Sequence, residues 1–342
     1  MKTYLEKLMN HEDLTREEIQ KVIHKCLNEM ISDSEIAAFL IALRKKGETP
    51  TEIAALADYI RSESTQATND IQHVMDNCGT GGDSSHSFNI STTSAFVIAG
   101  AGVTIAKHGN RGISSKTGSA DVLEHLGVSL DLGREKTEEI LATNKIAFLY
   151  APSVHGQLGQ IMKVRKELGI PTIFNLIGPL TNPIQLDTQM MGIYERNMLP
   201  IIAKSLHHLG RKRAVVINGA GYMDEASLAG DNHVILLDHG HISSFTIHPS
   251  DVHLPVYPNE AIRGGDAKDN ARILLDVLNG KKGPYYDTVL FNAGMGLFAN
   301  GIAQTIRNGI EMAKESIASG SAIEKLQTLV HFSEKYKRGV SL

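Results

Sequence analysis

A chain of 342 residues, 42% hydrophobic and 21% charged, is long enough to form one large and one smaller domain that bury about three-quarters of the unfolded surface. Its formal net charge of −4 excludes the basic surface on which general nucleic-acid binding depends. Two cysteines, Cys26 and Cys78, exclude a disulfide framework and suit a reducing compartment, and no apolar run reaches membrane-spanning length.

Residues 1 to about 68 are expected to be all-helical. Met1–Asn10 carries Lys2, Glu6 and Lys7, so no signal peptide is expected and the cytoplasm is the expected location. Thr15 with Glu18 and Ser32 with Glu35 have capping-box spacing, and Thr49-Pro50-Thr51-Glu52 adds a proline at the first helical position. The amphipathic stretches Ile36–Leu43 and Ile53–Ile60 serve either the core of this small domain or a contact between subunits.

The chemistry concentrates between Cys78 and Gly127. The turn Gly79-Thr80-Gly81-Gly82-Asp83 lacks Cβ atoms where a backbone must approach a ligand, and successive N–H groups in such a turn form an anion site. It matches neither the dinucleotide fingerprint nor the P-loop, because no G-K-[ST] follows. Asn89 or Ser91 is positioned to cap a helix over Thr92–Ala101, whose free N–H groups favour phosphate. A cationic loop, Lys107-His108-Gly109-Asn110-Arg111, supplies full charges, and Ser119 opens a second helix over Ala120–Leu126. A lone glycine turn is usually just a tight connection. Two strand-to-helix turns, each rich in phosphate-binding residue types, indicate a phosphate site.

Further along, short β-branched runs at Val103–Ala106, Ile146–Tyr150, Ala214–Asn218 and Val234–Asp238 alternate with helical stretches. That alternation predicts an α/β domain with a mostly parallel sheet, whose ligands bind at the carboxyl ends of strands. The run Arg211-Lys212-Arg213 reads as a helix end leading into a strand. Asp224-Glu225 follows a strand; such a pair is ordinarily solvated, but beside a phosphate site it becomes a candidate for Mg²⁺. From about Asp266 the chain reads as a C-terminal cluster of helices.

The motifs GTGGD, FNISTT, KHGNR, SSKTGSADVLE and NLIGPLTNP together resemble the anthranilate phosphoribosyltransferases, over essentially the whole chain. The resemblance implies a small N-terminal all-α domain over residues 1–68 with a returning segment near 170–185, and a catalytic α/β domain over 69–342. It also implies transfer of the phosphoribosyl group of phosphoribosyl pyrophosphate to the amine of anthranilate, a homodimer formed through the N-terminal helices, and no nucleic-acid or membrane partner. For the donor it implies Gly79, Gly82, Asp83, Ser87, Asn89, Ile90, Ser91, Thr92, Lys107, His108, Gly109, Asn110, Arg111, Gly112, Ile113, Ser114, Ser115 and Ser119. For anthranilate it implies Gly79, His108, Asn110 and Arg165, and for Mg²⁺ Ser91, Asp224 and Glu225. No acid or base is assigned; Lys107 and Asp83 act by charge and positioning.

Where the family commonly has a Pro-Ala-Met-Lys run after the histidine matched by His155, this chain reads Gly156-Gln157-Leu158-Gly159, and Lys163 replaces a proline. These departures bear on the acceptor side; Ser87, where threonine is common, keeps its hydroxyl. The alternatives are a transferase of this fold with another aromatic acceptor, a pyrimidine nucleoside phosphorylase, and a non-enzymatic nucleic-acid-binding relative.

Overall fold

The computed structural model describes residues 1–28, 31–64, 71–112 and 116–337. Four helices come first: α1 (Lys2–Met9), α2 (Arg16–Leu27), α3 (Asp33–Lys46) and α4 (Pro50–Ser62). All three expected capping boxes form, with each hydroxyl accepting from the N3 amide and each N3 glutamate reaching back to the cap. Glu52 does more than cap α4. Fully buried, it also accepts from Leu14 N at 2.9 Å and pairs with Lys46 at 2.8 Å, so one carboxylate joins α4 to α3 and to the connection before α2. The apolar faces Ile36–Leu43 and Ile53–Ile60 are consumed in the chain's own core: Ile36, Phe39, Leu40, Leu43, Ile53, Leu56 and Ile60 are buried there.

The remainder runs β1 (Val74–Gly79), α5 (Ile90–Gly100), β2 (Thr104–Gly109), α6 (Ser119–His125), α7 (Gly133–Asn144), β3 (Ile146–Tyr150), α8 (Ala151–Val154), α9 (Gly159–Leu168) and α10 (Phe174–Ile177). Then follow β4 (Thr188–Gly192), α11 (Leu199–His208), β5 (Arg213–Asn218), β6 (Asn232–Asp238), β7 (His241–Ile247), and the closing helices α12 (Ala267–Leu278), α13 (Pro284–Asn300), α14 (Ile306–Ala318) and α15 (Ser321–Lys337). The strands form one sheet in the order β3-β2-β1-β4-β5-β6-β7. The first five are parallel, and β6 and β7 add antiparallel pairs at one edge. The α/β fold with a mostly parallel sheet and C-terminal helices is therefore as expected. No helix among the described residues is long and apolar enough to cross a membrane.

Alternate residues of β4 and β5 feed two cores, as a pleated strand requires. Met190, Val215 and Ile217 join the core beneath α5 and α13. Met191, Ala214 and Val216 join the core shared with α2–α4, α10 and α11. Helix α5, packed between the sheet and the closing helices, is correspondingly buried from Thr92 to Ala99. The sheet is thus covered on both faces, and its open polar edge lies at the carboxyl ends of β1, β2 and β4.

Candidate active site

The site begins where a strand ladder stops. Strand β1 pairs with β4 out to Gly79↔Gly192, but with β2 only at Val74↔Thr104 and Met75↔Ile105. Past Met75 the two strands part, and buried backbone groups facing the gap need new partners. Side chains supply them. Asn182 Nδ2 donates to Ala106 O at 2.7 Å, Asp76 Oδ1 accepts from His108 N at 3.4 Å, and Lys107 Nζ donates to Asn77 O at 2.7 Å. Chain order and spatial order also diverge here, since β4 lies on the far side of β1 from β2, and open α/β sheets bind ligands at such places.

On one side of this crevice lie the oxygen-rich groups. Gly81 and Gly82 take left-handed conformations, φ 70 and 82, so the turn after β1 needs glycine. A Cβ atom at Gly79 would fall on the Asp224 carboxylate and one at Gly192 on the Asp224 backbone, so two strand ends are stripped to backbone to admit one residue. Asp224 Oδ2 accepts from Gly81 N at 2.6 Å, and Glu225 Oε1 accepts from Ser91 N at 3.1 Å in the first turn of α5. Lys107 Nζ lies 3.3 Å from Ser91 Oγ. Burial, then Asp83 and Glu225, push Asp224 well above the usual carboxylate range. Burial raises Glu225 to about 7, with Lys107 pulling it down and Asp83 pushing it up.

Such an acid pair is short of positive charge, and what it and Ser91 offer is oxygen. That chemistry fits a hard cation such as Mg²⁺, which takes a carboxylate or two and completes its shell with water and phosphate oxygens. Among the described residues no group of three or more His, Cys, Asp or Glu side chains is placed to hold a metal, so the protein's share would be the pair and Ser91.

The other side of the crevice is built from rings and an arginine. Because strand side chains alternate, Lys107 faces α5 while His108, its neighbour, faces the opposite way. The His108 ring bonds through Nδ1 to Gly178 O at 3.2 Å, and the His155 ring through Nε2 to Thr181 O at 2.9 Å. Both carbonyls belong to the 3-10 turn Gly178–Thr181. The rings meet edge to face at 5.4 Å. Burial first, then His155, lowers His108 to about 3; burial lowers His155 to about 4. Both are neutral imidazoles at physiological pH. Arg165 on α9 reaches Asn175 Oδ1 at 3.3 Å and lies over the Phe174 ring at 5.4 Å. It has no carboxylate partner among the described residues.

Most residues singled out from sequence gather here, with differences. Lys107, His108 and Gly109 finish β2 and are not loop residues; that is why the lysine is buried and aimed. Asn89 occupies the cap of α5, which starts at Ile90, but makes no side-chain cap. Its side chain is held between Thr117 O at 3.4 Å and Asn270 Nδ2 at 2.9 Å. Ile90 is in the apolar core, Thr92 Oγ1 is buried without a partner, and Ser87 forms a bridge with Arg263. Arg111 turns to Asp121 at 2.9 Å and Glu124 at 2.8 Å. Gly112 N and Gly118 N also donate to Asp121, so the start of α6 is filled by the chain's own carboxylate. Asn110 O accepts from Ala120 N at 3.2 Å and Ser119 Oγ at 3.3 Å. Ile113, Ser114 and Ser115 lie outside the described residues. Sequence reasoning missed Asp76, Asn182 and Asn270. It also missed Asn292, whose amide brackets Ala226 N and O at 2.9 Å and fixes the chain just past Glu225. A buried asparagine inside an apolar helix was the available signal.

A helical unit beside a mostly parallel sheet that parts at its carboxyl edge, with an acid pair at that edge, is the architecture of a two-part glycosyl transferase. Residues 2–64 match the helical bundle domain of the glycosyl transferase family, and residues 71–323 match its a/b domain. The anthranilate phosphoribosyltransferase of Oceanobacillus iheyensis is 56% identical over 335 residues, 98% of each chain; that of Exiguobacterium sibiricum is 58% identical, over 98% of this chain and 99% of its own. The Thermus thermophilus enzyme of the same name superposes with a TM-score of 0.91 at 37% identity, covering 97% and 99% of the two chains. The Saccharomyces cerevisiae enzyme, solved in complex with PRPP and Mg, does so with 0.88 at 28%, covering 97% of both. The chain belongs to the anthranilate phosphoribosyltransferase family.

Proposed function

We infer that this chain transfers the phosphoribosyl group of 5-phosphoribosyl 1-pyrophosphate to the amine of anthranilate in tryptophan biosynthesis, releasing pyrophosphate. The observation that carries the chemistry is the end of β2, where Lys107 and His108 face opposite sides of one crevice. The lysine side holds the donor's phosphates; the histidine side, with Arg165, holds the aromatic acceptor. The division of the chain is a helical unit over 1–68, joined by 170–185, and a catalytic unit over 69–342, with the crevice between them.

In the reaction the anomeric C–O bond to pyrophosphate breaks, the C–N bond to anthranilate forms, and the amine gives up a proton. An aromatic amine is uncharged at neutral pH, so it attacks with its own lone pair and no side chain is needed as a base before attack. Lys107, with its Nζ already held by Asn77 O and Ser91 Oγ, meets the negative charge gathering on the leaving group. Gly79, Gly82, Asp83, Ser87, Asn89, Ile90, Ser91, Thr92 and the Lys107–Ser115 segment with Ser119 line the donor side, Ile90 through its backbone. Mg²⁺ held by Ser91, Asp224 and Glu225 would neutralise pyrophosphate charge. If these carboxylates turn toward the cation, the Gly81 and Ser91 amides they now engage become free for phosphate oxygens. Catalysis then rests on positioning and preorganised charge.

The test is loss of anthranilate fluorescence with purified protein, phosphoribosyl pyrophosphate and Mg²⁺, against controls with EDTA and without donor. Loss that needs both is the expected result. No loss, with the donor still bound in calorimetry, would point to another acceptor; no donor binding would refute the reading. Within it, Arg165→Ala should raise the KM for anthranilate on the order of tenfold or more, the scale of one hydrogen bond to a charged group. Donor affinity should not change. An unaltered acceptor KM would remove Arg165 from the pocket.

A further inference from the structure

Asp76 lies on β1 with no solvent exposure, opposite the point where β2 peels away, and no step above uses it. Its two oxygens both accept. Oδ1 takes His108 N at 3.4 Å, and Oδ2 takes Asn182 Nδ2 at 3.0 Å. The Asn182 amide cannot be flipped to suit another partner, because its Nδ2 also donates to Ala106 O at 2.7 Å and its Oδ1 accepts from Ile184 N at 3.0 Å. Asn182 directly follows the Gly178–Thr181 turn. The carbonyls of that turn are taken by His108, His155 and Gln189, and Asn175, three residues before Gly178, carries Arg165.

We propose that Asp76 is a positioning residue for the acceptor, holding the His108 backbone on β2 and, through Asn182, the turn that aligns the His108 ring and Arg165. The proposal rests on the functional reading above and deepens it. The Lys107 bonds go to Asn77 O and Ser91 Oγ rather than to Asp76, so the donor side keeps its hydrogen bonds without this carboxylate, whose charge reaches the lysine only through space. In an asparagine at position 76, one of the two acceptors becomes an amide NH₂. Whichever way that amide turns, a donor then faces either Asn182 Nδ2 or His108 N. A buried donor without an acceptor is costly, and the turn can escape the conflict only by moving.

The experiment compares wild type, Asp76→Asn, Asn182→Ala and the exchange pair Asp76→Asn with Asn182→Asp. It is run at pH 8, above the value of about 6 to which burial raises Asp76. Asp76→Asn and Asn182→Ala should each raise the acceptor KM on the order of tenfold, the effect of one unmet buried bond, with donor affinity by calorimetry unchanged. The exchange pair should recover much of that loss. Its new amide can donate to the new carboxylate and still accept from His108 N, but a carboxylate oxygen then faces Ala106 O, so the recovery should be partial. A lowered melting temperature with unchanged acceptor KM, or equal losses for donor and acceptor, would make Asp76 a general brace and overturn the proposal. Should Asp76→Asn not fold, Asn182→Ala decides by the same two readings. Wild type run alongside keeps the hypotheses apart. Failure of wild type to consume anthranilate counts against the functional reading; active wild type with unmoved variants counts against Asp76.

Discussion

Lys107→Ala is expected to slow phosphoribosyl transfer on the order of 10²-fold or more at saturating donor and Mg²⁺, the scale seen when one preorganised donor to a developing negative charge is removed. The ammonium is 3% exposed and reaches two oxygens, Asn77 O at 2.7 Å and Ser91 Oγ at 3.3 Å. It therefore needs no reorganisation as pyrophosphate leaves. It is also the cation that pulls both Asp76 and Glu225 back from the full effect of burial. Its loss should push those carboxylates further toward the neutral form, so the variant's residual rate should recover in part at higher pH. Initial rates from pH 6.5 to 9 measure both effects. Turnover near that of wild type would remove Lys107 from the chemistry. A lower rate caused only by a weaker donor KM would make it a binding group.

What could be read before the fold was seen follows the range of the interactions. The capping boxes at Thr15, Ser32 and Thr49 are contacts between a residue and its third neighbour, and each forms as read. The glycine turn and the apolar run Ala95–Ala99 of α5 are also local statements about backbone freedom and burial. Less was visible in the sheet. Strand β4, Thr-Gln-Met-Met-Gly, is buried on both faces and so lacks the alternation by which strands are found. Strand β7 went unread although its hairpin carries a glycine signal, with His239 and Gly240 at φ 47 and 88. The parting of β1 from β2 left no local mark, because the groups that bridge it come from residues 76, 107 and 182. The lysine that looked like a loop charge became a buried, oriented one through that non-local arrangement.

The departing segment after His155 shows the same dependence on context. Gln160 Nε2 donates to Asp33 Oδ1 at 3.1 Å and to Ile31 O at 3.2 Å, and Lys163 pairs with Asp33 at 2.7 Å. Both side chains thus fasten α9 to the start of α3. Arg165, on the same helix, turns to Asn175 and Phe174. Of Gln160 and Lys163, only the lysine departs from the family pattern, so one altered residue adds to the mooring of the helix while Arg165 keeps its own partners.

Asp224→Asn should trade activity for stability in the metal-free protein. Transfer should fall on the order of 10²-fold, because half of the acid pair proposed to offer oxygens to Mg²⁺ is gone. The fold should gain, because burial, Asp83 and Glu225 all disfavour the charge at this position. The new amide can keep the bond from Gly81 N through its oxygen and offer its NH₂ to Asp83. The pH dependence separates this from a general loss. A carboxylate raised in the fold binds its proton more tightly folded than unfolded, so stability falls as pH rises from the ordinary value toward the folded one; for Glu225 that window runs from 4.5 to about 7. His108 and His155, lowered to about 3 and 4 from 6.5, act oppositely and add stability as pH rises to 6.5. Both proteins carry these histidines, so the difference between their melting profiles from about pH 4.5 to 8 isolates the acid pair. Relative to Asp224→Asn, metal-free wild type should lose melting temperature as pH rises, and Mg²⁺ with donor should reverse the loss. Asp224→Asn should also shrink the Mg²⁺ shift. An equal Mg²⁺ shift in both proteins, together with equal turnover, would exclude Asp224 from the metal site.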